Sequence, residues 1–346
     1  MKLFQCPCCS QTIYFENEFC GACGAAVGYE CESQQFFEIP AEPANASGWK
    51  PCANRVEEVC NWLLPADDPE SLCQACRLNR YIPEISDTSD QENWSELESA
   101  KHRLIFSLKR LGLPIMNKLD DPQDGLAFDF IDQQQTVPED ASVMTGHADG
   151  LVTINTDEAD SVEREQARQS MEEPYRTLIG HFRHEVGHYY WQLLVQPNSQ
   201  LLADYRQTFG DETLNYQDAL ARHYEQGAPA DWQQSFVSAY ASSHPWEDWA
   251  ETWAHYLHLM DTLETAHAFN LALTVPAQPQ GMTSIASFDP YEEASFDKIL
   301  DNVVPLMLAL NGLNRSMGQP DSYPFVLSPV VAGKLAFIHN MLRGAV

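Results

Sequence analysis

One short segment, His184-Glu185-Val186-Gly187-His188, combines side chains that could carry out hydrolysis at a metal ion. Two histidines four residues apart lie on the same face of a helix, so both imidazoles can bind one zinc ion. The glutamate beside the first histidine can act as a general base toward a water molecule that zinc activates. The pattern therefore predicts a catalytic zinc site, with His184 and His188 as ligands, Glu185 as the base and amide hydrolysis as the natural reaction.

A catalytic zinc ion needs a third protein ligand, and the segment from Pro245 to His255 offers carboxylates for this role. Glu247 and Glu251 are one helical turn apart and share a face, between tryptophans that form an apolar stripe. We expect Glu247 to bind the metal and Glu251 to accept the N–H of a ligating histidine, with Asp248 as the alternative ligand. A solvated acidic face is the competing interpretation.

The cysteines predict further zinc sites. All ten lie between residues 6 and 76, and in a reducing cytoplasm such clustering favours metal ligands over disulfides. Two CxxC knuckles can supply four thiolates to a structural zinc ion, which we favour over a redox dithiol. A second set, with one knuckle and two loosely spaced cysteines, predicts another such site. The first set is Cys6, Cys9, Cys20 and Cys23, and the second is Cys52, Cys60, Cys73 and Cys76. Cys8 and Cys31 remain as ordinary small side chains, and the expected cofactors are one catalytic and two structural zinc ions.

Helical periodicity indicates the elements that position the His/Glu segment. The strongest helix is predicted from Glu173 to Val195, with an apolar stripe opposite the two histidines. A further helix is expected over residues 94–111, strands over residues 126–131 and 150–156, and a loop over residues 274–282.

Composition changes along the chain predict its division into domains. A zinc ribbon is expected at residues 1–30, a second cysteine-rich zinc module at 31–82, a polar hinge at 83–95 and the catalytic domain at 96–346. These segments indicate an α+β protein, in which the zinc-ribbon modules precede a mainly helical domain.

Charge and hydrophobicity exclude some partners. The 346 residues include 20 basic and 50 acidic side chains, a net charge of -30, which repels nucleic acid and anionic lipid. Residues 1–82 carry five Lys/Arg and eleven Asp/Glu, so we expect the ribbons to dock a protein rather than nucleic acid. Neither an export signal nor an apolar run of about 20 residues is visible, so we expect no membrane segment and a cytoplasmic location.

The chain resembles an uncharacterised bacterial family of zinc-ribbon metallopeptidases. The segments 184–188 and 247–251 are also similar to the gluzincin pattern found in anthrax lethal factor. In that pattern the first glutamate of the second helix binds zinc, and the second glutamate lies next to the zinc ligands without binding the ion. The family likeness spans nearly the full length and rests on residues 15–17, 60–62, 173–178, 181–185, 244–251 and 313–318. It implies a zincin-like peptidase domain behind a zinc ribbon, without a known substrate.

The likeness to lethal factor and to zincins in general implies two further roles. Tyr240, seven residues before Glu247, would face the zinc ion and stabilise the oxyanion that forms during hydrolysis. His255 and His258 are the alternative donors, and a packing role for Tyr240 is the plainer interpretation. The strand at residues 150–156 precedes the metal-binding helix, as the substrate-lining edge strand of zincins does, so it would bind an extended peptide by strand addition. An internal strand is the alternative.

These observations leave more than one function open. The first is a zinc peptidase that acts on a peptide or protein substrate. The second is a catalytically silent zinc-binding scaffold whose ribbons bind a protein, and the third is a zinc hydrolase that acts on other bonds. Glu185 favours an enzyme, because a purely structural zinc site has no use for a general base.

Overall fold

The structure is a computed structural model, which describes residues 2–40, 48–132, 135, 145–170, 177–273 and 288–344. The predicted loop at residues 274–282 lies outside this part of the chain, as do the first residues of the predicted Glu173–Val195 helix. The described residues fall into two compact units, the first up to Phe182 and the second from Arg183 onward.

The strands are short, and all of them belong to the first unit. Four belong to two hairpins of the first cysteine-rich region, β1 (Phe4–Gln5), β2 (Thr12–Ile13), β3 (Val27–Glu30) and β4 (Gln35–Glu38). The second cysteine-rich region contributes β5 (Trp49–Pro51), β6 (Leu63–Pro65) and β7 (Asn79–Tyr81). The remaining strands are β8 (Ala127–Ile131), β9 (Gly146–Ala148) and β10 (Leu151–Asn155).

Helices occur in both units and make up most of the second. In chain order they are α1 (Thr88–Arg110), α2 (Ser161–Ser170), α3 (Leu178–Tyr190), α4 (Ser199–Thr208), α5 (Tyr216–Gln226), α6 (Pro245–Ala268), α7 (Phe296–Ser316) and α8 (Pro329–Leu342). A π-helical turn, Trp191–Val195, follows α3 directly. Short 3-10 turns are Ala53–Arg55, Cys76–Leu78, Thr156–Glu158, Trp232–Gln234, Tyr240–Ser242 and Pro290–Glu292.

Helix α1 begins earlier than the sequence predicts. Asp87 caps it, because its side chain accepts hydrogen bonds from the backbone N–H groups of Ser89 and Asp90. The predicted hinge at residues 83–95 is therefore wrong from Thr88 onward, since those polar residues form the exposed first turns of a helix. The compact units also group the chain differently from the predicted domains, because both cysteine-rich regions, α1 and the sheet belong to the first unit.

The first unit contains a four-stranded sheet in the order β7-β8-β10-β9. Strand β10 pairs in parallel with β8 and antiparallel with β9, so it lies inside the sheet. Asp149 and Gly150 both have positive φ, 48° and 79°, and turn β9 back onto β10 as a tight hairpin. The prediction that residues 150–156 form an edge strand for substrate addition is therefore wrong for Leu151–Thr153, whose two edges are already paired.

Helix α6 is the central element of the second unit. It is buried along most of its length, with Trp249, Trp253 and Leu257 fully enclosed. Helices α7 and α8 pack against it, and the side chains of Val303 and Leu335 are completely buried. Burial on all sides fixes the rotation of α6 about its axis, which decides where its acidic residues point.

The fold class predicted from the sequence is confirmed, with four-cysteine groups at the N-terminus followed by a mostly helical domain. Among the residues that the structure describes, none of the helices has the length and apolar character needed to cross a membrane.

Candidate active site

Helices α3 and α6 approach each other very closely at Gly187. A Cβ atom at this position would lie 3.1 Å from the Cα of Ala250 and 3.2 Å from the Cβ of Trp253, so only glycine fits without displacing a helix. The indole N–H of Trp249 donates a hydrogen bond to the carbonyl oxygen of Gly187 at 2.8 Å. Gly187 therefore allows the face of α3 that carries His184 and His188 to lie against the N-terminal turns of α6.

A buried ion pair joins the same two helices farther along α6. The guanidinium of Arg183 contacts the carboxylate of Asp261 and lies 2.5 Å from Nδ1 of His258. Tyr291 donates its hydroxyl to the other oxygen of Asp261. Because an unpaired buried charge is costly, this network fixes α3 relative to α6 immediately before His184.

Two histidines of α3 and one glutamate of α6 form the candidate metal site. Ligand atoms of His184, His188 and Glu247 all lie within 4.8 Å of one another. Nε2 of His184 is 3.0 Å from Oε2 of Glu247, and Nε2 of His188 is 3.5 Å from Oε1. The Glu247 side chain is only 1% exposed. The structure thus brings together the three residues that the sequence predicts as ligands.

Glu251 lies behind His184, as expected for a residue that orients a ligand. Its Oε1 is 2.7 Å from Nδ1 of His184, and its Oε2 accepts a hydrogen bond from the hydroxyl of Ser238 at 2.5 Å. Burial opposes the charge on Glu251, but the hydrogen bond and charge of His184 hold its pKa at about 2. With Nδ1 bound to a carboxylate, Nε2 of His184 is the nitrogen left for a metal ion.

The electrostatics of this group favour a cation. Burial lowers the pKa of His184, but its hydrogen bonds to Glu247 and Glu251 outweigh this effect and raise the pKa well above its usual value. Burial likewise raises the pKa of Glu247, whereas the two histidines hold it well below its usual range. Oε2 of Glu247 is buried without a hydrogen bond of good geometry. Two imidazoles and a carboxylate are a donor set that zinc takes, so these residues fit the ion.

Two tyrosines lie beside this group. The ring centre of Tyr240 is 6.0 Å from that of His184, and the charges of Glu247 and Glu185 both act on its hydroxyl. Tyr216, at the start of α5, donates its hydroxyl to Oε1 of Glu247 at 2.7 Å. The structure brings Tyr240 to the site, and it adds Tyr216, which sequence reasoning missed because no spacing links it to α6.

The alternative residues proposed from the sequence have other partners. Asp248 points away from the histidines and forms a buried ion pair with Lys334, at 2.6 Å. Nδ1 of His255 lies 2.8 Å from the hydroxyl of Tyr323, and His258 contacts Arg183. These contacts leave Glu247 as the carboxylate that faces both histidines.

The first cysteine set also converges. The sulfur atoms of Cys6, Cys9, Cys20 and Cys23 all lie within 4.8 Å of one another. Each knuckle ends in a residue with positive φ, Ser10 at 60° and Gly24 at 74°, so the two knuckles adopt the same tight turn. Backbone N–H groups of Cys23 and Ala22 lower the pKa of Cys20 to about 6, which favours the thiolate that zinc binds.

The second set converges in the same way, although its spacing is loose. Its four cysteines are all buried, and their sulfur atoms lie within 4.8 Å of one another; they are Cys52, Cys60, Cys73 and Cys76. Backbone N–H groups of Trp62 and Cys73 donate to the sulfurs of Cys60 and Cys52 at 3.4 and 3.3 Å. Buried sulfur atoms that accept backbone N–H groups suit a closed structural zinc site.

Helix α1 supplies polar groups against this second set, which the sequence did not reveal. Nε2 of His102 lies 3.5 Å from the sulfur of Cys60 and 3.9 Å from that of Cys76. Glu98 also approaches Cys76 at 3.9 Å, but Lys101 already neutralises it at 2.8 Å. The buried cysteine set is therefore part of the core that α1 completes.

Cys8 and Cys31 lie outside both sets. Cys8 is exposed. Cys31 is buried with its sulfur 3.4 Å from Oε1 of Gln74, and burial raises its pKa to about 12. A buried thiol of this kind is a poor nucleophile, and a role for Cys8 and Cys31 as ordinary small side chains stays a prediction.

Comparison with known proteins finds two family models that match the chain. A family model described as "Putative zinc-binding metallo-peptidase" matches residues 90–341, and one described as "zinc-ribbon domain" matches residues 3–87. Relatives from Mycobacterium bovis and from two strains of Mycobacterium tuberculosis, all named as uncharacterized proteins, are 42% identical over 344 residues. The match covers 99% of this chain and 95% of each relative.

No solved structure matches the chain, so the likeness to anthrax lethal factor stays a prediction. The resemblance to the zinc-ribbon metallopeptidases is confirmed by both family models. The chain belongs to this family of zinc-binding metallopeptidases, and it carries a zinc-ribbon domain before the family's characteristic region.

Proposed function

We propose that this protein hydrolyses peptide bonds at a zinc ion held by His184, His188 and Glu247, with Glu185 as the general base, in the manner of the gluzincins. The observation that carries the proposal is the convergence of two imidazole nitrogens and a carboxylate oxygen within 4.8 Å. Glu185 supplies a further carboxylate from the same turn of α3.

The groups around the site would each take one role in hydrolysis. A zinc ion bound there would polarise a carbonyl group and lower the pKa of a water molecule to about 7. Glu185, which is 8% exposed, would take the proton from the attacking water and pass it to the leaving amine. Tyr240 would donate its hydroxyl to the developing oxyanion.

The ribbons would dock the protein that is cut or that directs the enzyme. Cys9 and Cys23 of the first cysteine set are exposed, and two aromatic side chains near them in the chain, Tyr14 and Phe19, are 54% and 58% exposed. Replacing both with serine should raise KM for a protein substrate while leaving hydrolysis of a short peptide unchanged. Equal effects on both substrates would argue against docking by the ribbons.

The test of the enzymatic proposal is hydrolysis of a peptide library by the wild type and by Glu185→Gln, with zinc content measured in both. The variant keeps the size of the side chain and removes the base, so we expect the zinc content to stay unchanged. Its turnover should fall by about 10²-fold or more. Glu225→Gln, an exposed glutamate on α5, is the matched control and should be fully active.

Other outcomes would assign a different function. Zinc binding without hydrolysis of any peptide, ester or other amide would indicate the silent scaffold. Hydrolysis of esters or small amides alone, with the same loss in Glu185→Gln, would indicate a hydrolase of another class. Full peptidase activity in Glu185→Gln would refute the assigned base.

A further inference from the structure

Tyr216 contacts the candidate metal site through one oxygen of Glu247. Its hydroxyl donates to Oε1 at 2.7 Å, whereas Oε2 faces Nε2 of His184 at 3.0 Å. We infer that Tyr216 is a positioning residue, which holds Oε1 of Glu247 so that Oε2 is presented to the metal ion. The inference rests on the proposed function in one respect, since it takes His184, His188 and Glu247 as the ligands.

A carboxylate can bind a metal ion through one oxygen or through both, and its free rotation costs affinity. Glu247 is almost completely buried, so each of its oxygens needs a partner. A hydroxyl donor on Oε1 satisfies that oxygen and fixes the plane of the carboxylate. Hydrogen bonds of this kind to ligating carboxylates commonly tune metal affinity.

The ring of Tyr216 is held in place by the residues that begin α6. Its ring centre lies 5.3 Å from that of His244 and 5.9 Å from that of Trp246. Nδ1 of His244 accepts the backbone N–H of Trp246 at 3.1 Å, and its Nε2 donates to the carbonyl oxygen of Leu214 at 3.1 Å. His244 therefore ties the segment before α5 to the first turn of α6, which sets the distance between Tyr216 and Glu247.

Tyr216 and the proposed oxyanion donor Tyr240 both lie beside the candidate ligands, Tyr216 at Glu247 and Tyr240 at His184. The two tyrosines should nevertheless have separable effects. Tyr216 acts on the metal ion through Glu247, so its loss should appear in metal affinity. Tyr240 acts on the reacting carbonyl, so its loss should appear in kcat with the metal still bound.

The test compares Tyr216→Phe with Tyr240→Phe and Tyr224→Phe in the full-length protein. Tyr224 lies on the same helix and is 73% exposed, so it is the matched control. A chelator first removes zinc from the site at His184, His188 and Glu247 (the open site), while the cysteine sites stay loaded. The zinc affinity of the open site is then measured by competition with a chromophoric chelator. We expect the dissociation constant to rise about 10–100-fold in Tyr216→Phe and to stay within about threefold in the two other variants.

A spectroscopic readout separates positioning from general destabilisation. With Co²⁺ added to the stripped site and zinc left in the cysteine sites, the visible absorption bands should shift in Tyr216→Phe alone. With the metal removed from the open site only, circular dichroism of the variants should match that of the wild type, because phenylalanine preserves the ring.

Unchanged zinc affinity and an unchanged Co²⁺ spectrum in Tyr216→Phe would overturn the inference. His184→Ala distinguishes this failure from failure of the proposed function. If His184→Ala loses the open-site metal while Tyr216→Phe keeps full affinity, only the role of Tyr216 is refuted. If His184→Ala leaves metal binding intact, the ligand assignment itself is wrong, and the inference fails with it.

Discussion

Removing the carboxylate of Glu251 tests how the protein prepares His184 for a metal ion. Glu251 lies 2.7 Å from Nδ1 of His184, so with a metal ion bound it would keep the proton on that nitrogen and leave the lone pair of Nε2, which lies 3.0 Å from Glu247, for the ion. In Glu251→Ala the imidazole loses both this orientation and the favourable charge. The hydroxyl of Ser238 also loses its acceptor.

The expected loss of metal affinity follows from these contacts. Loss of a carboxylate partner behind a ligating histidine weakens metal affinity by about 10–100-fold, which corresponds to roughly 1.4–2.7 kcal/mol. Glu251→Gln should lose less, about tenfold at most, because the amide oxygen can still accept the N–H of His184. Glu247→Ala should lose the ion outright, because it removes a ligand rather than the partner of one.

The assay is chelator competition at the open site for the three variants, with Ser238→Ala as a control that removes only the second partner of Glu251. Thermal unfolding of the metal-free proteins runs in parallel. An unpartnered buried N–H costs about 1–3 kcal/mol, so some loss of stability in Glu251→Ala is expected without metal. The result that would refute the reasoning is unchanged affinity in Glu251→Ala, or loss of the ion in Glu251→Ala while Glu247→Ala retains it.

Three further outcomes are expected. If the chain binds the three zinc ions that we expect, a chelator of moderate strength should remove one of them first, because the site at His184 would keep an open position whereas four-cysteine sites would be closed. Mass spectrometry of the native protein would count the ions, and simultaneous loss of all of them would contradict this. Gly187→Ala should lower the free energy of unfolding by about 1–3 kcal/mol in a denaturant titration, since the added Cβ would lie 3.1 Å from the Cα of Ala250. In the matched control, Gly333→Ala, the added atom meets open space, so the free energy of unfolding should not fall. Lys334→Met should cost about 3–5 kcal/mol by leaving Asp248 buried without its partner, and addition of Asp248→Asn should recover part of that loss if the ion pair is the cause.

Sequence reasoning succeeded where a local period alone decides the geometry. Residues four apart on a helix must share a face, so His184 and His188 were expected to converge, and the same period relates Glu247 to Glu251. The CxxC spacing likewise brings two thiolates together within one turn of the chain. Even the loosely spaced second cysteine set was predicted correctly as a group, and its four sulfurs do meet.

The errors also have local causes. The polar residues 83–95 indicate a hinge, but Asp87 caps a helix there, and an exposed first turn can be as polar as a linker. Residues 150–156 are predicted as an edge strand, but Asp149-Gly150, a strong signal for a two-residue hairpin, forms the turn at its start. That turn places β9 along the side that was expected to receive a peptide.

By itself, the sequence determined the chemistry available, because residue type and helical spacing fix which donors can act together. Only the tertiary structure decided which helix meets which. Gly187 lets α3 approach α6, and this contact brings His184 and His188 against Glu247 rather than Asp248. Tyr216 reaches Glu247 from 31 residues away, and His102 reaches Cys60 from 42 residues away. No sequence period encodes such contacts, because they depend on the packing of whole helices and on what each buried polar atom needs as a partner.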